Sequence, residues 1–88
     1  MPQSSRTEEE KRLLRDFGYR VRTLRAERGM TQMKLADAAN LHVTYIGQVE
    51  NGLRNVAVLN LYALASALGT TPGDLLPPAK KRRGRPSA

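Results

Sequence analysis

The stretch from Thr31 to Gly52 constrains this chain more than the rest of it together. Thr31 can cap a helix over about residues 32 to 38, and Leu35 and Ala36 give that helix an inward face. Ala39, Asn40 and Leu41 then read as a tight turn. Asn40 is the residue expected at positive φ, because its short polar side chain tolerates the left-handed conformation. A second helix over about residues 43 to 50 turns Ile46 and Val49 inward, and Asn51-Gly52 ends it. Two short helices joined by a tight turn, the second showing small and polar side chains outward, have the layout of a helix-turn-helix. In that layout the second helix lies in the major groove of DNA.

The flanking segments complete a small helical domain. Thr7 to Glu10 form a capping box: the Thr7 hydroxyl accepts from the Glu10 amide while the Glu10 carboxylate reaches back. Leu14, Phe17, Val21 and Leu24 follow as one apolar stripe. Glu8, Glu9 and Glu10 suit the positive end of the helix dipole, and Arg25 and Arg28 the negative end. Gly29 can stop this first helix, read as about residues 8 to 28. A fourth helix, about 58 to 68, is expected to bury Val58, Leu61, Ala65 and Leu68, with Gly69 ending it. Thr71-Pro72 pairs an N-cap with Pro at the first helical position, opening a fifth helix through Leu76. No segment alternates with a period of two, so strands are not expected. The expectation is an all-α, compact five-helix domain over residues 8–76, with residues 1–7 and 77–88 disordered.

Eighty-eight residues make one domain with a modest core, and without cysteine neither disulfides nor thiolate zinc sites can supplement it. The longest apolar-rich stretch, Val56 to Leu68, is interrupted by Asn60 and Ser66 and is too short to span a bilayer. No apolar segment follows the N-terminus, so no signal peptide is expected and the cytoplasm is the expected location. The net charge of +7 is unevenly spread, since residues 1–76 hold ten Lys/Arg against eight Asp/Glu. The other five cations, Lys80, Lys81, Arg82, Arg83 and Arg85, stand in the last twelve residues with no acid among them. A nearly balanced body with a cationic tail suits a polyanionic partner; a solubilising tail is the plainer alternative.

Residue by residue, the motif offers two kinds of contact. Gln32 opens the second helix, where free amide N–H groups and a positive dipole end favour an anion, and its side-chain amide adds a donor. Asn51, Arg54 and Asn55, just past the third helix, can clasp a phosphate backbone from the other side. Singly each is an ordinary solvated residue; bracketing one short helix, they point to phosphate. Base readers must face away from Ile46 and Val49, which leaves Val43, Thr44, Gly47 and Gln48, with Tyr45 at the edge as a further phosphate candidate. Gln48 can bond bidentately to adenine, Thr44 can donate, accept or meet a thymine methyl, and Val43 suits the same methyl. Gly47 costs about 1 kcal/mol relative to Ala in a helix interior. Close approach of DNA to the backbone would account for that cost, and so would neutral drift. His42 occupies an N-cap position and is assigned to a phosphate or base-edge contact, since no second His, Cys or carboxylate cluster beside it makes a metal site. Arg25 and Glu50 lie near helix ends whose apolar stripes face the core, and are read as an ion pair setting the angle of the third helix. No serine has a plausible base and no glycine loop cradles phosphate, so neither an enzyme nor a cofactor is expected.

The run from Arg22 to Gln32, with Leu35-Ala36, Tyr45-Ile46, Val49 to Gly52 and Leu64 to Gly69, resembles the Cro/C1 (XRE-type) helix-turn-helix family over about residues 15 to 76. Asn40-Leu41, Thr44 to Ile46 and Arg54-Asn55 look most like its restriction–modification controller proteins. The resemblance implies a lambda-repressor-like domain acting as a homodimeric transcription regulator on a palindromic site in double-stranded DNA. It carries over Gln32 as a phosphate contact, Val43, Thr44 and Gln48 as base readers, and Arg25–Glu50 as a structural ion pair. Controller proteins often have a basic residue where Val43 stands, and the first helix starts about two turns earlier here than is usual. Leu13 and Leu14 in that extension are expected against the fifth helix or a second subunit. An antitoxin-type module that neutralises a protein partner is the alternative. In the tail, Arg83-Gly84-Arg85-Pro86 resembles the core of an AT-hook, which puts arginines in an A·T-rich minor groove; a generic phosphate-binding tail is the other reading.

Overall fold

The computed structural model describes residues 6–79. The cationic cluster Lys80, Lys81, Arg82, Arg83 and Arg85 lies outside the described residues, as does most of the N-terminal segment expected to be disordered.

Five helices follow in order: α1 Glu8–Glu27, α2 Gln32–Ala39, α3 Val43–Glu50, α4 Val58–Ala67 and α5 Pro72–Leu75. Local chemistry fixes most of their ends. At α1 the capping box is closed in both directions, with the Glu10 N–H donating to Thr7 Oγ1 at 3.0 Å and the Thr7 N–H to Glu10 Oε1 at 2.9 Å. Thr31 and Thr71 cap α2 and α5 in one direction only, each hydroxyl accepting from the N–H of Lys34 or Asp74. Asn40 ends α2 at φ 57°, the left-handed conformation expected of it. Among the described residues there is no strand.

The core is one cluster in which α1 packs on α3 and α5, α2 on α3 and α4, and α4 on α5. Leu35, Ile46, Leu64, Leu68 and Leu75 are fully enclosed, each stabilising the fold by about 1.5–3 kcal/mol. Where α1 crosses α3 there is no room for a side chain. A Cβ on Gly18 would run into the Val49 carbonyl oxygen and lie 2.7 Å from that of Glu50. α3 therefore rests on α1 backbone to backbone, which sets its height and tilt.

Two sequence expectations need correction. Val58 is 64% exposed, and Leu64 takes the buried place beside Ala65 and Leu68. In the first turn of α4 only the side of Asn60 and Leu61 is covered, so the stripe outruns what it can bury. Leu14, on the apolar stripe of α1, is half-buried. α5 stops at Leu75, leaving Leu76 exposed. One hydrogen bond nonetheless reaches past residue 76, an Arg12 guanidinium N–H donating to the Pro78 carbonyl at 3.0 Å, while Arg20 Nε donates to the Asp74 carbonyl of α5 at 2.8 Å.

Candidate nucleic-acid interface

α3 presents two faces. Ile46, Val49 and Glu50 point inward and are buried, whereas Thr44 is exposed and Gly47 and Gln48 are half-exposed on the other side. Val43, in the first turn of α3, is half-buried: one side of it packs against the core, and it stands one turn before both Ile46 and Gly47, at the border of the two faces. His42 is the N-cap, exposed, and makes no side-chain capping bond, which leaves both ring nitrogens open to solvent or a ligand.

A buried ionic clamp fixes α3 in orientation. Arg25 Nε donates to Glu50 Oε2 at 2.6 Å and Nη2 to Oε1 at 3.0 Å, the two-pronged geometry a guanidinium makes with a carboxylate. Arg25 Nη1 donates to the Met30 carbonyl at 2.8 Å, tying the α1–α2 turn into the same unit. The Glu50 side chain is 2% exposed and that of Arg25 16%. The hydrogen bonds to Glu50 hold the Arg25 guanidinium above its ordinary pKa, against the opposing effect of burial. The pair expected from the sequence is thus present, and it has a third member. Gln32 Nε2 donates to Glu50 Oε1 at 3.0 Å. The Gln32 side chain therefore spends one of its two N–H donors on the clamp. A phosphate at the start of α2 would meet the second donor and the free backbone N–H groups.

A second network lies on the outer side. Asn60 Nδ2 on α4 donates to the Tyr45 hydroxyl oxygen at 3.1 Å. The Arg54 guanidinium stands over the Tyr45 ring, 5.2 Å from its centroid, and Arg54 Nε donates to Gln48 Oε1 at 2.9 Å. Tyr45 is therefore a support for Arg54 as well as an edge residue; its hydroxyl keeps its own hydrogen for an acceptor. Asn51 and Asn55 are exposed on either side of Arg54. Between them Gly52 takes φ +74°, and a Cβ there would lie 3.1 Å from Arg15 Cα, so the loop after α3 is tucked against α1. Both ends of the described chain border this loop. Arg6 shares a shallow cleft with Leu53, Arg54 and Asn55, and Ala79 lines a second one with Asn55 and Val56. Gly47, by contrast, has room for a side chain: a Cβ there would meet the Gln32 amide in ordinary van der Waals contact, with Oε1 at 3.8 Å.

Two contributors were not singled out from the sequence. Asn60 signals itself only as a polar interruption of an apolar run, and Gly18 only as a glycine inside a strong helical stripe.

The second cleft is an apolar groove of about 310 Å³ with Leu13, Leu14, Phe17, Leu61 and Leu76 among its walls. Leu13 and Leu14, expected against the fifth helix or a second subunit, face Leu61 of α4 and the segment after α5 across this groove. Elsewhere α4 exposes Leu59, at 81%, and Tyr62. Among the described residues no cluster of metal-ligating side chains occurs, and no helix is long and apolar enough to cross a membrane.

Comparison with known proteins agrees with this geometry. Residues 21–75 match the family described as Helix-turn-helix. The chain is 46% identical over 61 residues to the control protein C.BamHI of Bacillus amyloliquefaciens, covering 68% of this chain and 75% of that one. It is 45% identical over 56 residues to the control protein C.SmaI of Serratia marcescens, covering 64% and 67% respectively. Among solved structures, the restriction–modification controller protein C.AhdI from Aeromonas hydrophila superposes with a TM-score of 0.70 at 43% identity, over 72% of this chain and 96% of that one.

Proposed function

Because the chain belongs to the Cro/C1-type helix-turn-helix family of DNA-binding transcription regulators, we propose that it acts as a homodimer on a palindromic operator and controls a restriction–modification system. The observation that carries the DNA-reading part is the clamp: half-buried Arg25 and Gln32 on the buried Glu50 hold α3 so that Thr44, Gly47 and Gln48 face outward together. In this reading Thr44 and Gln48 meet base edges, and Gly47 lets the groove approach the backbone. His42, Tyr45, Asn51, Arg54, Asn55 and the start of α2 meet phosphates on either side. Lys80, Lys81, Arg82, Arg83 and Arg85 add phosphate contacts beyond the domain. Such work places the protein in the cytoplasm, with the DNA.

One short helix reads too few base pairs to select a site alone, which favours a dimer with half-sites one turn apart, roughly 34 Å centre to centre. The apolar groove, together with exposed Leu59, Tyr62 and Leu76, supplies surface for the second subunit. The controller role rests on the likeness to proteins named as such. Footprinting on the DNA upstream of the protein's own reading frame tests the dimer: two protected half-sites related by symmetry are expected, and a single half-site saturated by a monomer refutes it. The same apolar surface suits the antitoxin alternative, in which a second polypeptide co-purifies in place of a second copy.

A further inference from the structure

Gln48 is not free to present either end of its amide. Arg54 Nε donates to Gln48 Oε1 at 2.9 Å, and a guanidinium has only donors, so the face of the amide turned toward Arg54 has to be its oxygen. Arg54 in turn is held from behind, its guanidinium over the Tyr45 ring and that ring tied to α4 through Asn60. The chain Asn60–Tyr45–Arg54–Gln48 is thus a brace from the second layer of the domain to the outer face of α3. It leaves Gln48 Nε2, with two N–H groups, as the end that is not engaged, next to the remaining N–H groups of Arg54.

We propose that Arg54 is a specificity-determining residue: by holding the Gln48 oxygen it makes Gln48 and Arg54 one composite donor, which selects guanine at the base pair Gln48 reads. This rests on the reading of Gln48 as a base contact and reverses what glutamine alone would choose. A free glutamine pairs with adenine by accepting from N6 and donating to N7, which needs its oxygen turned to the base. Guanine shows two acceptors, O6 and N7, and matches a surface made of donors. A phosphate-only Arg54 would have no such consequence, because backbone contacts carry no sequence information.

The test is selection by the full chain from duplexes randomised over about two helical turns, followed by titration of single-base-pair variants of the selected site. Expected is a position where guanine is preferred to adenine by roughly 10-fold or more. Gln48→Ala should erase that preference. Arg54→Ala should move it toward adenine, because the released amide can turn. Arg54 is exposed, so its removal does not threaten the fold, and a thermal melt of each variant confirms this. If Arg54→Ala weakens guanine and adenine duplexes alike, or if the Gln48-dependent position prefers adenine in the unaltered protein, the composite donor is refuted while Gln48 remains a base reader. If Gln48→Ala changes the preference at no position, the underlying reading of Gln48 falls and the proposal with it.

Discussion

Gly18→Ala tests whether the height of α3 over α1 is set by backbone contact. The added methyl meets two carbonyl oxygens and the Glu50 carbonyl carbon, the last at 2.9 Å, all of them main-chain atoms at the end of α3 that cannot rotate aside. Relief therefore requires α3 to move away from α1 by several tenths of an ångström, and overpacking of this kind costs about 1–3 kcal/mol or more. Alanine returns up to about 1 kcal/mol through its better helix propensity, so a net loss of about 1–2 kcal/mol is expected. In a domain of this size that lowers Tm by about 4–16 °C, at about 4–8 °C per kcal/mol. The shift also disturbs the clamp, since Glu50 lies at the point of contact and bonds Arg25 across the same crossing. Operator affinity measured well below the Tm should consequently fall as well. A variant that melts at or above the unaltered protein and binds DNA equally well would refute the argument, because it would mean the crossing can open without cost.

The remaining predictions are quicker to state. Gly47→Ala, with nothing nearer than 3.8 Å, should raise stability by up to about 1 kcal/mol in urea melts yet weaken DNA binding in titrations; binding that is unchanged refutes close approach at that backbone. Arg25→Ala strands the Glu50 carboxylate and should cost about 3–5 kcal/mol, whereas the double variant Arg25→Met, Glu50→Leu should cost less, as denaturant unfolding will show. Hydrogen bonds from Thr70 and Thr71 lower the Asp74 pKa below its usual 3.8, so its contribution to stability is present above that value and is lost as pH falls through the folded pKa; an NMR titration of Asp74 with a midpoint at or above 3.8 would contradict this. Removing residues 79–88 takes away five cations and should flatten the slope of log K against log salt by up to about 4.5, leaving operator choice intact. A preference for A·T-rich flanks abolished by Gly84→Ala would instead identify the AT-hook.

The start of α1 and both ends of α2 were legible because they are fixed by chemistry within a few residues: the Thr7–Glu10 box, the Thr31 cap, the left-handed Asn40. The faces of the helices were legible from periodicity, but their limits were not. Val58 lies on the extension of a real stripe and is still exposed, because a period says which way a residue points and not whether a neighbour is there to cover it. Val43 shows the same limit from the other side, since it borders both faces of α3 and is half-buried, which periodicity alone does not tell. At the candidate site the Arg25–Glu50 pair could be anticipated from two helix ends with inward stripes. The capture of Gln32 by Glu50 and of Gln48 by Arg54 could not, for each depends on side-chain geometry that exists only once the helices have docked.

The convergence of residues 6 and 79 on Asn55 has a practical side. Anything carried beyond either point, whether native sequence, purification tag or fused reporter, starts beside the loop that follows α3. On the proposed docking, a bulky fusion at one end would obstruct the approach of the double helix much as a fusion at the other would, and exchanging one terminus for the other would offer no escape. The same closeness makes either end a good place for a small fluorophore. Docked DNA would alter its surroundings directly, so occupancy becomes readable without labelling the operator.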